Sequence, residues 1–228
     1  MAPSMHINYS LEKRELALRL FHEGAIKFGI SPLRLVHEAK DVSPIHLNLH
    51  TKNDPKPGPL SKRSIELMGR LLHEAYTMQM PFDYIIGDPY AGDPIAASFA
   101  RAGNFPTHKV LWINKRLQGD AWLKEWPIEN IRRRPGPTVL IDDILTKAVN
   151  KLTTIRLLHR YGFHVPVVAV VIDREQNGGH ILLNAGLSVE VVLSLFCLPD
   201  LLFFYRMEGL ITTNTYAEVC ACLGYEQT

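Results

Sequence analysis

An α/β fold built on a parallel sheet is predicted by three features of the sequence. Strand-like and helix-like segments alternate from about residue 83 onward. The runs "VPVVAVVID" and "VEVVLSLF" are continuously apolar and rich in valine, which suits strands covered on both faces. The residues of chemical interest, Asp88 to Asp93, Asp142 to Asn150 and Asp173 to Gly179, fall where such strands would end. Ligands of open parallel sheets gather at that carboxyl edge.

The elements follow in order. Ser10 is expected to cap a first helix in which Ala17, Phe21, Gly24 and Phe28 share one face, with Leu16 and Leu20 beside it. "SPIHLNLH" alternates like a half-buried strand, with Ile45, Leu47 and Leu49 on one side. "TKNDPKPGPL" carries too much proline and glycine for anything but a loop. A helix is expected from about Ser61, where Ile65, Met68, Leu72 and Ala75 recur at helical spacing. "DYIIGD" reads as a short strand. Asp93 and Pro94 then start a helix, as N-cap acid and first-turn proline, that Gly103 ends. "HKVLWIN" and "TVLIDDI" are the next strands, and Leu152 to Tyr161 is a helix closed by Gly162. The segment "LPDLLFFYRMEGLITTNTYAEVCACLGY" supplies two closing helices.

A chain of 228 residues with 46% hydrophobic and 21% charged content suits one globular domain with a sizeable core. The net charge of +2 gives no reason to expect nucleic acid or an acidic membrane as partner. Cys197, Cys220 and Cys222 form neither a C-x-x-C pair nor a disulfide framework, so a reducing cytoplasm is the expected setting. No apolar run is long enough to span a bilayer, and "MAPSMHINYSLEKRE" lacks the apolar core of a signal peptide. The sequon at Asn8 therefore carries no expectation of glycosylation. His46 and His50 would share a strand face, yet a third ligand and an acid are missing, so no metal-binding residues are assigned. "RRRPGP", from Arg132, reads as a solvated basic turn.

The stretch "TVLIDDILTKAVNK" frames the functional question. An apolar strand ends in Asp142 and Asp143, and the loop after it has no glycine. Phosphate-binding loops are usually glycine-rich, because only glycine lets successive backbone N–H groups converge on an anion. Ala148 and Val149 occupy that territory, and a β-branched valine is a poor resident of left-handed conformations. Lys147 and Lys151 could offer point charges to a phosphate instead, and Asn150 could stand for a serine.

Four segments taken in order, spanning roughly residues 21 to 223, resemble the orotate phosphoribosyltransferases. "SPIHLNLH" is similar to that family's "SPIYIDLR", and "IIGDPYAGDPIAASFA" to its G-V-P-Y-x-A-L-P-I-A segment. "TVLIDDILT" resembles the strand and acidic pair before the loop that binds phosphoribosyl pyrophosphate (PRPP). "VVIDREQNGGHILLNAGLSVEVVLSL" resembles the D-R-E-Q-G-G region that separates the orotate branch from other phosphoribosyltransferases. The resemblance implies a type I phosphoribosyltransferase-like parallel sheet flanked by helices, one domain over residues 1–228, with residues 1–60 contributing to a small hood. It implies transfer of a phosphoribosyl group from PRPP to orotate, giving orotidine monophosphate and pyrophosphate, with Mg²⁺ arriving on PRPP, in a homodimer.

Site residues carry over position by position. The resemblance implies that Asp142 and Asp143 hold the ribose hydroxyls, as carboxylates readily accept from them. Tyr90, Ala91, Thr146, Lys147 and Asn150 would contribute to the PRPP site, and Lys115 would be the retained catalytic lysine of a mobile basic lid. Arg174 would pair with the orotate carboxylate, a task suited to a planar guanidinium. Gly178 and Gly179 would allow close ligand approach. Several positions depart from the pattern: Asn114, Gln118 and Asp120 replace lid cations, Glu38 replaces a lysine, and Asp88 adds an acid near an anion site. The alternatives are a catalytically lapsed relative that binds a nucleotide, a small aromatic acid or a protein partner, and a same-fold enzyme using another sugar phosphate or base. Trp112, Trp122 and Trp126 mark the segment expected at the dimer interface.

Overall fold

The computed structural model describes residues 7–29, 43–53, 57–76, 80–118, 121–126 and 134–225. Glu38, Asp120 and the arginines at 132 and 133 lie outside them. The chain runs α1 (Leu11–His22), β1 (Ile26–Phe28), β2 (Ile45–Leu47), α2 (Lys62–Tyr76), β3 (Tyr84–Gly87), α3 (Gly92–Ala102), β4 (Val110–Leu111), β5 (Asn114–Gln118) and β6 (Ala121–Glu125). It continues through β7 (Pro137–Leu145), α4 (Val149–Arg160), β8 (His164–Asp173), α5 (Gly178–Leu183), β9 (Val191–Cys197), α6 (Leu198–Met207) and α7 (Thr213–Leu223).

The main sheet has the order β4-β3-β7-β8-β9, and every neighbouring pair is parallel. Its central strands are apolar without interruption because both faces are covered. Along β8, Val167, Ala169 and Val171 enter the core beneath α1, α2, α3, α6 and α7, while Val168 and Val170 enter the core beneath α4 and α5. On β7, Val139 and Ile141 take the first side and Leu140 the second. This is the period-two alternation of a strand, with two apolar faces in place of one. Each fully buried valine or leucine contributes about 1.5–3 kcal/mol by leaving water.

The flanking helices start and stop for local reasons. The Ser10 hydroxyl accepts from Lys13 N at 3.3 Å and caps α1. That helix ends at His22, because Gly24 turns the chain with φ +75°. Gly24 and Phe28 therefore do not extend its apolar face, and Phe28 sits instead in β1, a strand the periodicity did not show. β1 pairs antiparallel with β2, which stops at Leu47 although Leu49 is fully buried. Glu23 ties this region to the start of α2 by accepting from Ser61 N and Oγ, each at 2.8 Å. α4 starts at Val149 rather than Leu152 and is closed by Gly162 in the left-handed region, φ +80°.

The stretch "HKVLWIN" forms only the two-residue β4. The antiparallel hairpin β5–β6 follows, where the resemblance implies the basic lid. Trp126, at the end of that hairpin, is buried and stacks on Tyr161 at a centroid distance of 5.3 Å. It packs in the core under α4, whereas Trp112 is 44% exposed. Among the described residues no helix is long and apolar enough to cross a membrane.

Candidate functional site

The carboxyl edge of the sheet brings together two groups of the residues read from the sequence. The first is built on the segment after β3. Asp88 N donates to Ile141 O at 2.8 Å and fastens this segment to β7. The Pro89–Tyr90 peptide bond is cis. Ala91 is buried at the N-terminus of α3. Asp93 lies within the first turn of that helix, beyond the cap position it was expected to fill, and its charge there favours the positive end of the helix dipole. A Cβ on Gly92 would stand 2.4 Å from Ile141 O, so glycine is required for helix and strand to meet here. Lys115 lies against the same turn: its Nζ donates to Pro89 O at 3.3 Å, and Tyr90 Oη donates to Lys115 O at 2.7 Å. Gly87, Tyr90, Asp93, Trp112 and Lys115 line a groove of about 500 Å³.

The second group surrounds the acids of β7. Asp142 is buried and Asp143 partly so, two residues before the strand ends. Asp143 Oδ1 accepts from Ile144 N at 2.7 Å. Lys151, from the first turns of α4, is 4% exposed. Its Nζ donates to Asp142 Oδ2 and to Ile144 O, both at 2.5 Å. The sequence offered Lys151 as a ligand for phosphate; the structure turns it inward onto the strand acid.

Asp88 is also compensated from within. Lys124 of β6 reaches it at 2.5 Å, and the same Nζ donates to Thr154 Oγ1 at 2.6 Å and Asn150 O at 3.0 Å. Thr154 Oγ1 donates to Asp88 Oδ1. Both side chains of the ion pair are nearly inaccessible, at 6% and 5%. Neither Lys124 nor Thr154 was singled out in the sequence. The one available signal was Asp88 itself, an acid with no local role in its own turn.

Burial dominates the electrostatics here. It pushes the Asp142 carboxyl up to about 6, with Lys151 pulling the other way and Asp143 adding repulsion. Asp88 and Asp143 are raised for the same first reason. Burial works against the Lys151 ammonium, but Asp142, Asp88 and Asp143 outweigh it and hold its pKa above the usual lysine range. A cluster of three acids and two lysines is thus assembled where a sugar phosphate would be expected.

The loop between these acids and α4 takes a mixed form. Ala148 adopts the left-handed conformation, φ +60° and ψ +5°, that glycine favours, while Val149 is already helical. Only one of the two positions therefore carries the strain expected of both. Lys147 and the Asn150 side chain are exposed. A Cβ on Gly178 would meet Thr146 O at 2.0 Å, so glycine is required where the start of α5 packs on the loop after β7. Gly179 has nothing nearer than 3.9 Å.

Arg174 stands just beyond β8 and is 7% exposed. Among the described residues no ion pair joins it to Asp173 or Glu175; Asp173 Oδ1 instead accepts the Glu175 N–H at 2.9 Å. The Tyr225 hydroxyl holds the Arg174 backbone carbonyl. Arg174 Nε and Nη2 are buried with no hydrogen-bond partner among the described residues. Burial lowers the guanidinium pKa, opposed by Tyr225 and Cys222. A buried cation with idle donors is a ready seat for a planar anion.

Comparisons with known proteins find relatives at low identity. The uridine 5'-monophosphate synthase of Caenorhabditis elegans is 26% identical over 221 residues, 95% of this chain. The structure of Leishmania donovani UMP synthase superposes with a TM-score of 0.71 at 25% identity, over 94% of this chain and 42% of that one. These likenesses, at low identity, are those of a divergent relative of the orotate phosphoribosyltransferases. The enzyme of that name from Thermococcus kodakarensis is 26% identical over 72% of this chain and 81% of its own length. That of Aeropyrum pernix shares the fold, with a TM-score of 0.63 at 21% identity. The chain spans 40% of the nematode synthase that it matches. No family model matches it. Asp142, Asp143, Tyr90, Ala91, Lys115 and Arg174 all lie at or beside the carboxyl edge of the sheet. The loop Thr146–Asn150 departs from the pattern, and Gln118 belongs to the regular hairpin strand β5.

Proposed function

We propose that this chain acts in pyrimidine nucleotide synthesis as an orotate phosphoribosyltransferase-like protein. Orotate would displace pyrophosphate from the sugar carbon of PRPP, giving orotidine monophosphate. The observation that carries the reading is Arg174, whose buried Nε and Nη2 are without partners among the described residues. A dry guanidinium with two donors idle among the described residues favours a bidentate carboxylate, and orotate supplies one. Asp142 and Asp143 would accept from the ribose hydroxyls, and Tyr90, Ala91 and Lys115 would face pyrophosphate. Mg²⁺ would arrive on the polyphosphate and temper its charge. Residues before α2 would form the hood, and a homodimer would complete the site, in a reducing cytoplasm. Loss of orotate absorbance in the presence of PRPP and Mg²⁺ tests the reading. Saturable turnover that disappears in Arg174→Met supports it, and failure of the parent to bind or consume orotate overturns it.

A second reading is favoured by one observation, the occupation of Asp142 by Lys151. It is a lapsed transferase that keeps the pyrimidine end and binds the carboxylate without transfer. Orotate binding without any turnover would select it.

A further inference from the structure

The two buried lysines of the acidic cluster have a feature that a phosphate site does not share. An ammonium has three N–H donors and no acceptor. Lys124 places all three on the chain itself, at Asp88 Oδ1, Asn150 O and Thr154 Oγ1. Lys151 places two, on Asp142 Oδ2 and Ile144 O. Both ammoniums are within 2.5 Å of a carboxylate and almost fully buried, so an incoming polyphosphate would meet charges already neutralised. Each lysine of the cluster is thus committed to an acid of the chain itself, with no ammonium turned outward for an anion.

The contacts also join separate elements. Lys124 ties hairpin strand β6 to the Asp88 segment after β3 and to the first turns of α4. Lys151 ties α4 to the acid of β7 and to the Ile144 carbonyl beyond it. The hairpin, the pyrophosphate-side turn and the sugar-side acid are thereby held in one ion-paired block.

We propose that Lys151 is an internal blocker of the sugar subsite, occupying the Asp142 oxygen that a ribose hydroxyl would need, with Lys124 latching the hairpin over it. Sugar phosphate then binds only when Lys151 gives up Asp142. Lys151 is by this account a specificity device that favours the pyrimidine carboxylate over the phosphoribosyl donor. The inference rests on the proposed function, because it concerns the same site.

The test uses the sign of a charge change. Removing a lysine from a genuine phosphate site weakens anion binding; removing a blocker strengthens it. Parent protein, Lys151→Val and Lys151→Gln are titrated with PRPP and Mg²⁺, and separately with orotate. The expected result is a PRPP affinity higher by about tenfold or more in Lys151→Val, with orotate affinity unchanged. Lys151→Gln keeps a hydrogen-bond donor for Asp142 without the charge, and covers the case in which the valine variant does not fold. Its neutral hydrogen bond is weaker than the ion pair and yields Asp142 more readily, so it too should gain PRPP affinity, by less than the valine variant. Equal or weaker PRPP binding in the folded variants overturns the inference while orotate binding stands. Loss of orotate binding in the parent itself overturns the proposed function instead.

Discussion

Replacing Arg174 by methionine should strengthen the ligand-free fold and remove orotate binding at the same time. The side chain is 7% exposed, and its Nε and Nη2 find no acceptor among the described residues. Each buried, unsatisfied donor costs about 1–3 kcal/mol, so the two together cost about 2–6 kcal/mol. Methionine keeps much of the apolar stem and fills part of the volume. Some packing is lost with the guanidinium, as is its favourable proximity to Tyr225. The net gain expected is about 1–4 kcal/mol, the range seen when buried charges give way to apolar groups of similar size. The Tyr225 bond to the Arg174 carbonyl is made to backbone and should survive. Urea unfolding at pH 7, with parent and variant compared at constant m-value, measures the change. Orotate affinity should fall by about thirtyfold or more, the lower end of what a desolvated charge pair is worth. A variant less stable than the parent by 1 kcal/mol or more would show that Arg174 is satisfied within the fold, and the argument for a waiting anion seat would collapse.

Three further outcomes are expected. Lys124→Met leaves Asp88 buried beside an apolar tail and should cost about 3–5 kcal/mol, most of it recovered in the double variant with Asp88→Val; no recovery in urea unfolding would mean that the pair is not the relevant interaction. The Asp142 carboxyl, at about 6 in the fold against 3.8 when exposed, keeps a proton that the unfolded chain releases, so stability should fall as pH rises from about 4 to about 6. Asp142→Asn should make that decline shallower, and an unchanged slope in unfolding at pH 4.5, 5.5 and 6.5 would contradict the assignment. Trp126→Ala should destabilise by about 3–5 kcal/mol without altering the sedimentation coefficient of the folded protein, since the ring packs on Tyr161 and Phe163; a change in assembly with stability intact would return it to an interface.

The parts legible in the sequence were those governed by short-range rules. The parallel sheet announced itself through the valine runs of β8 and β9, because burial on both faces removes polar residues from every position. Ser10, Gly103 and Gly162 marked helix boundaries for reasons confined to a few residues. The acidic pair, Tyr90, Lys115 and Arg174 stand out as candidates because they lie in ordered motifs along the chain. What escaped depends on distance in sequence. Lys124 and Asp88 are 36 residues apart, and neither shows its partner locally. Lys151 sits nine residues beyond Asp142, where a helical turn folds it back onto the strand, and loop chemistry alone suggested an outward charge. Val149 was assigned a strained conformation because the helix start was placed at Leu152, three residues late. The packing requirement at Gly178 escaped because its neighbour across space, the Thr146 carbonyl, lies in another loop.

On the proposed reading, the pyrimidine end of this site stands open while the sugar-phosphate end is latched from within. Calorimetric titration of the unmodified protein with orotate, and with PRPP and Mg²⁺ under the same conditions, tests it directly. Orotate should bind saturably in the absence of PRPP, with PRPP the weaker ligand by about tenfold or more. Tight PRPP binding with no heat from orotate would contradict it.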